Sequence, residues 1–188
     1  MRDLIVVENS TVDGVIELLG DWFDPTAESA DIQELVRTHM VESDALLLGR
    51  ITYNDFKGFW PLQQDDQTGN TAYLNQTEKY VVSSTMQESD WENTTILAGP
   101  VEEEIQRIKA LPGKAITVTG SITLVRALIA AGLVDEYRLF VYPVISGVGR
   151  RLIEPGDTPP GLHPISVQTF QNGVVLLTYR ATNGTASA

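Results

Sequence analysis

The chain contains no cysteine. That excludes a disulfide scaffold, a cysteine zinc site, an iron–sulfur cluster and a thiol nucleophile. Cations are scarce: 13 Lys and Arg stand against 25 Asp and Glu, a formal net charge of −12. Such a surface is a poor match for nucleic acid or an anionic membrane, since both require clustered cations. A phosphate-bearing ligand must then be held locally, by backbone amides and one or two basic groups. Histidine is limited to His39 and His163. Two distant histidines without a carboxylate at ligand spacing make no metal site, so no metal is expected. No Gly-x-Ser-x-Gly elbow is present, and serine-triad hydrolysis has no support. No run of 18 apolar residues occurs, and the four at 4–7 are too few for a secretory signal. A soluble cytoplasmic protein is the expectation.

What is there suits layered α/β structure. The 188 residues are 43% hydrophobic, and a chain of that length buries roughly 70% of its unfolded surface. One domain is expected over 1–182, with the small polar residues 183–188 as a frayed tail. Short apolar runs predict strands at 4–7, 45–48, 80–83, 95–98, 116–119 and 137–145. Their near-continuous hydrophobicity fits a mainly parallel sheet covered on both faces. Ile32, Leu35, Val36, His39 and Met40 keep helical spacing, which makes His39 a packed or boundary residue. Pro100 opens a second helix with Glu102, Glu103 and Glu104 in its first turn. A third runs from Ser121 to about Ala131. Runs at 165–170 and 174–181 flank Asn172-Gly173, the preferred dipeptide of a type I′ turn, and predict an antiparallel C-terminal hairpin. His163 falls in a Pro-flanked loop. Residues 9–28 and 63–75 fit neither period and read as long loops, as lids and binding loops often are.

Three strand ends carry anion-friendly turns. In Leu48-Gly49-Arg50-Ile51-Thr52-Tyr53-Asn54-Asp55 a strand meets a helix start, with Thr52 and Asp55 at capping-box spacing. The helix N-terminus offers free N–H groups, and Arg50 adds a charge that can fork onto phosphate. By itself this pattern also fits an ordinary capped helix with a surface arginine. In Val118-Thr119-Gly120-Ser121-Ile122-Thr123 the glycine permits close backbone approach, while Ser121 or Thr123 can cap or bind phosphate. Neither a Walker loop nor the dinucleotide fingerprint is present. Ser83, Ser84 and Thr85 end a third strand. Three such turns at one sheet edge carry more weight than any one, because α/β ligands bind there.

Val12-Asp13-Gly14-Val15, Trp22-x-x-Pro25, Gly49-Arg50-x-Thr52-Tyr53, Ser83-Ser84 and Gly120-Ser121, in that order, resemble the dihydrofolate reductase superfamily. The resemblance is strongest to the branch related to the reductase domain of the riboflavin-pathway deaminase-reductase. Gly132-Leu133-Val134-Asp135-Glu136 and Ser146-Gly147-Val148-Gly149 are similar to the C-terminal half of that branch.

The resemblance implies a dihydrofolate reductase-like three-layer fold of about eight strands, with NADPH across the sheet's C-terminal edge. Gly49, Arg50 and Thr52 would face the 2′-phosphate and pyrophosphate, and Ser83 and Ser84 the adenine end. Gly120, Ser121, Ile122 and Thr123 would hold the pyrophosphate, with a cis peptide frequent at Gly120. Val7, Glu8 and Ile16 would lie near the nicotinamide. The implied activity is NADPH-dependent hydride transfer to a small heterocyclic or carbonyl substrate, in a homodimer. Glu8 is the candidate proton donor, since an apolar strand end can raise a carboxyl pKa; an exposed edge carboxylate is the alternative. Two features depart from the pattern. The pterin-binding acid of dihydrofolate reductases falls on Ala27, one position before Glu28, or on Gln33 when counted back from Gly49. The zinc motif of the deaminase half is absent. True dihydrofolate reduction and a non-catalytic nucleotide-binding module therefore stand as alternatives.

Overall fold

In the computed structural model, which describes residues 1–24, 28–63, 66, 68–157 and 160–182, eight strands join in one sheet. They are β1 (Leu4–Thr11), β2 (Ser43–Gly49), β3 (Glu78–Val82), β4 (Thr94–Leu97), β5 (Ala115–Val118), β6 (Glu136–Tyr142), β7 (Gly161–Thr169) and β8 (Val175–Thr182). The helices are α1 (Ala30–Glu42), α2 (Arg50–Phe59), α3 (Asn70–Gln76), α4 (Val101–Ala110) and α5 (Ile122–Ala130). The sheet order is β4-β3-β2-β5-β1-β6-β8-β7, with the first six strands parallel and β8 and β7 antiparallel. Among the described residues no helix is long and apolar enough to cross a membrane.

The two-residue alternation of strand side chains sorts the core into layers. Ala45 and Leu47 of β2 pack with Leu4 and Val6 of β1 against Ile105 and Ile108 of α4 and Val125 and Leu128 of α5. Leu46 and Leu48 face the other way, toward Tyr53 of α2 and Leu74 of α3. Ile32 of α1 covers Phe140, Tyr142 and Leu176 farther along the sheet. Helices on both faces of a largely parallel sheet are what the continuous apolar runs required.

Several local expectations need correction. The loop at 9–28 starts later, because β1 continues to Thr11 paired with Tyr142. Half of the loop at 63–75 is α3. The C-terminal turn is not type I′, which needs positive φ at both central residues: Gly173 has φ +84° and Asn172 is not positive. Instead Gly173 N–H donates to Phe170 C=O and Phe170 N–H to Val174 C=O, a three-residue loop with glycine in the left-handed position. β6 ends at Tyr142 because Pro143 follows and has no N–H for the ladder. His163 lies within β7, where Pro164 is tolerated on an edge strand beside a register shift. Pro25, Ala27 and the tail 183–188 lie outside the described residues.

Candidate active site

The strand order reverses at β1. It pairs with β5 on one side only from Leu4↔Ile116 to Val6↔Val118, and with β6 on the other as far as Thr11↔Tyr142. Past Val6 and Val118 the strands β1 and β5 part, and a cleft opens at the carboxyl edge of the sheet. α/β folds bind ligands at such switch points. A cavity of about 660 Å³ fills the cleft and extends beneath α1 and α2.

Two helix N-termini meet at its rim. Gly49 N–H donates to Gly120 C=O at 3.0 Å, tying the turn before α2 to the turn before α5. A side chain has no room at either glycine. A Cβ on Gly49 would stand 2.9 Å from Ser121 N, and one on Gly120 2.7 Å from Thr52 Oγ1. Gly120 also has φ +129°, and its peptide to Ser121 is cis. Neither helix has a side-chain cap, so the first-turn N–H groups remain available. The expected capping box is therefore absent: Gly49 takes the N-cap position, which places Thr52 three residues inside the helix.

Thr52, Gly120, Ser121, Ile122 and Thr123 line the cavity, and so do Val7, Glu8 and Ile16. Gly49 lies behind this lining, packed on Ser121. Arg50 is exposed as the first residue of α2, outside the cavity proper. Ser83 is buried at the end of β3, its Oγ accepting from the N–H of Thr85 and Met86, and Ser84 is exposed. The chain's 13 Lys and Arg all fall among the described residues. Arg50 alone of them makes no side-chain hydrogen bond or ion pair.

Glu8 is 7% exposed and its Oε1 has no hydrogen-bond partner. Burial pushes its carboxyl up to about 8, so it holds a proton at neutral pH. One wall of the cleft comes from the loop after β1. Asp13 accepts from Thr11 Oγ1 at 2.7 Å and from the N–H of Ser146 and Gly147 at 3.0 and 2.9 Å, bonds that hold its carboxyl well below the usual range. The Val-Asp-Gly and Ser-Gly-Val-Gly segments are thus one construction, which carries Ile16, Glu17 and Arg150 to the cavity.

The other half of the cavity was not read from the sequence. Val36, His39 and Met40 of α1 face Phe56 and Phe59 of α2 across a floor of Leu46, Arg138 and Phe140. Arg138 Nε donates to Glu136 Oε1 at 2.7 Å, and its guanidinium also pairs with Glu42 at 2.8 Å. Burial, and secondarily the Arg138 charge, push His39 down to about 4, which keeps it neutral. The helical spacing of α1 gave a signal here, since Val36 and Met40 continue its apolar stripe past the packed Ile32. Of the candidate acids, Glu28 accepts a hydrogen bond from Tyr142 Oη with its carboxyl raised by burial, and it does not line the cavity. Gln33 donates to Glu28 C=O instead.

A mixed sheet in this order, with its cleft at the β1–β5 parting and two helix N-termini on the rim, is the dihydrofolate reductase-like fold. The chain belongs to the RibD C-terminal domain family, whose model matches residues 2–176. YyaP of Bacillus subtilis is 30% identical over 185 residues, covering 95% of this chain and 94% of YyaP. A Shewanella sp. PV-4 structure assigned to riboflavin biosynthesis aligns with TM-score 0.72 at 18% identity, covering 97% of this chain and 100% of that one. The Thermotoga maritima diaminohydroxyphosphoribosylaminopyrimidine deaminase/5-amino-6-(5-phosphoribosylamino)uracil reductase aligns with TM-score 0.67 at 14% identity. It is matched over 96% of this chain and 57% of its own.

Proposed function

We propose that the chain is an NADPH-dependent reductase, similar to the riboflavin-pathway pyrimidine reductases, acting on a small heterocyclic or carbonyl substrate. One observation carries the reading: two uncapped helix N-termini share a rim with Arg50, the one cation left without a partner. The residues fit a nucleotide of this kind. First-turn N–H groups of α2 and α5, with Thr123, would hold the pyrophosphate, and Arg50 the 2′-phosphate. Ser83 and Ser84 would border the adenine end, and Val7 and Ile16 would flank the nicotinamide. Bound NADPH would supply the hydride. Glu8 holds a proton at the parting of β1 and β5 and delivers it to the substrate atom that accumulates negative charge. The apolar surroundings exclude water from that end.

Trp60 lines the cavity and gives the test a signal. NADPH should quench tryptophan fluorescence saturably, and more tightly than NADH, with oxidation following only when a reducible substrate is added. A chain that binds neither cofactor refutes the reading. A homodimer belongs to the same proposal. Support comes from the outer strand β7, where Leu162, Ile165 and Val167 are exposed. A light-scattering mass of one chain removes it.

A further inference from the structure

We infer that the substrate is an uncharged, unphosphorylated flat-ring compound, taken up in the chamber between α1 and α2. The inference rests on the reductase reading of the same cleft and adds the chemical class of what is reduced. Apolar groups make most of the walls and floor around His39 and Arg138: Val36 and Met40 of α1, Phe56 and Phe59 of α2, and Leu46 and Phe140 of the sheet. Opposed aromatic and aliphatic walls suit a planar ring, whose faces gain dispersion and lose water there. The side-chain amide of Asn70, without a hydrogen bond of its own, offers one neutral donor and one neutral acceptor to the ring's polar edge.

Charge decides against a phosphate. The cations that reach the cavity are Arg138 and Arg150, and each is already compensated. Arg138 serves Glu136 and Glu42, with 12% of its side chain exposed and 10% of that of Glu136. Arg150 pairs with Glu17 at 2.6 Å. His39 is neutral, and Asp55 of α2 adds a carboxylate to the wall. A phosphate monoester entering here would have to displace buried Glu136 or half-exposed Glu42 from Arg138, displace Glu17 from Arg150, or remain unpaired itself. Displacing Glu136 or leaving the phosphate unpaired is strongly unfavourable, and displacing Glu42 or Glu17 gives up an ion pair already made. The phosphoribosyl group in the name of the Thermotoga reductase has no counterpart charge here.

Matched ligands test this. Calorimetric titration would compare 5-amino-6-ribosylaminouracil with its 5′-phosphate, and riboflavin with its 5′-phosphate. The unphosphorylated member of a pair should bind at least about tenfold tighter, the size of one charge-assisted hydrogen bond. Equal or tighter binding of the phosphorylated members overturns the inference, as does failure of both unphosphorylated members to bind at millimolar concentration. Glu17→Gln provides the converse. It keeps an oxygen acceptor for Arg150 N–H, so the loop can hold, but it frees the Arg150 charge. The phosphorylated ligands should gain about three- to tenfold while their partners stay unchanged. No gain in a variant that melts like the wild type counts against the role of the ion pair. NADPH is titrated separately. Its failure to bind removes the reductase reading and leaves the ligand comparison standing, so the two failures are distinguishable.

Discussion

The two ends of the cavity treat charge in opposite ways. At the rim the protein leaves positive charge uncompensated, in uncapped first-turn N–H groups and in Arg50. In the chamber every positive charge is spent: Arg138 serves two carboxylates and Arg150 one. With 25 acids for 13 bases, pairing is the default state of a cation in this chain. On the proposed function, the exception at the mouth of the cleft is where NADPH would bring the missing anion. Complete pairing in the chamber would then suit a substrate that brings none. One continuous cavity would so separate a phosphate-bearing partner from an uncharged one by electrostatics.

The most damaging test of that contrast is Gly120→Val. The residue has φ +129°, and its Cβ would meet Thr52 Oγ1 at 2.7 Å, so a branched side chain must push the α5 turn away from α2. NADPH affinity should fall about 100-fold or more, the loss of one or two charge-assisted hydrogen bonds. Riboflavin, seated in the chamber, should bind as before. Equal losses for both ligands would show that the two ends are not separate, and a melting curve identifies a variant that has simply unfolded.

Glu8→Gln acts at the junction of the two ends. Turnover should drop by about 10²–10⁴ with cofactor affinity preserved, as for loss of a general acid. The pH dependence has a definite sign. Burial raises the carboxyl from 4.5 to about 8, so the folded state binds the proton more tightly than the unfolded chain. Its contribution to stability is complete below the unfolded value and is lost as pH rises from about 4.5 through 8. Wild-type activity should decline above about pH 8, and Glu8→Gln should melt higher than wild type at pH 9. A variant whose melting temperature tracks that of wild type at every pH would remove the buried-acid account.

How much of this could be read from the residues differs between the two ends. The rim was legible because its chemistry is local: a strand, a glycine and a helix start are contiguous in Leu48-Gly49-Arg50 and in Thr119-Gly120-Ser121. Eight strands, the parallel order of most of them and the C-terminal hairpin followed equally from short-range pattern. The chamber was not legible, because Val36, Phe56 and Phe140 come from three separate elements. Each has an ordinary reason to be apolar, and only packing brings them to one space. Arg138 was invisible for a related reason: Glu136 is its neighbour two residues back on β6, but its second partner Glu42 reaches it only once α1 lies over β6. The turn at Gln171–Gly173 failed differently. Asn-Gly favours type I′, but Asn172 uses its Oδ1 to accept Val174 N–H, which suits a three-residue loop.

Arg50→Ala is a finer probe of the rim. A charge-assisted hydrogen bond to a phosphate is worth about 1.5–3 kcal/mol, roughly 10- to 100-fold in affinity. NADPH should weaken by about that factor and NADH should hardly change. Stability should not move, since Arg50 is exposed and unpaired. An unchanged NADPH/NADH ratio would mean that the free arginine is a bystander, and the rim would keep only its helix ends.

The smallest expected effect is also the most direct measure of the contrast, because it alters no residue. Exposed charges are screened as the Debye length falls from about 10 Å at 0.1 M salt to about 3 Å at 1 M. NADPH binding at an exposed Arg50 should therefore weaken several-fold across that range, and NADH, lacking the 2′-phosphate, by less. Riboflavin in the chamber engages no unpaired charge, and the Arg138–Glu136 pair in its floor is buried and poorly screened. Its affinity should stay flat with salt. In Arg50→Ala the NADPH slope should fall to that of NADH, since the screened partner has gone. Parallel slopes for NADPH and riboflavin in the wild type would show a common electrostatic environment, and with it that the unpaired arginine and the paired ones do not divide the cavity.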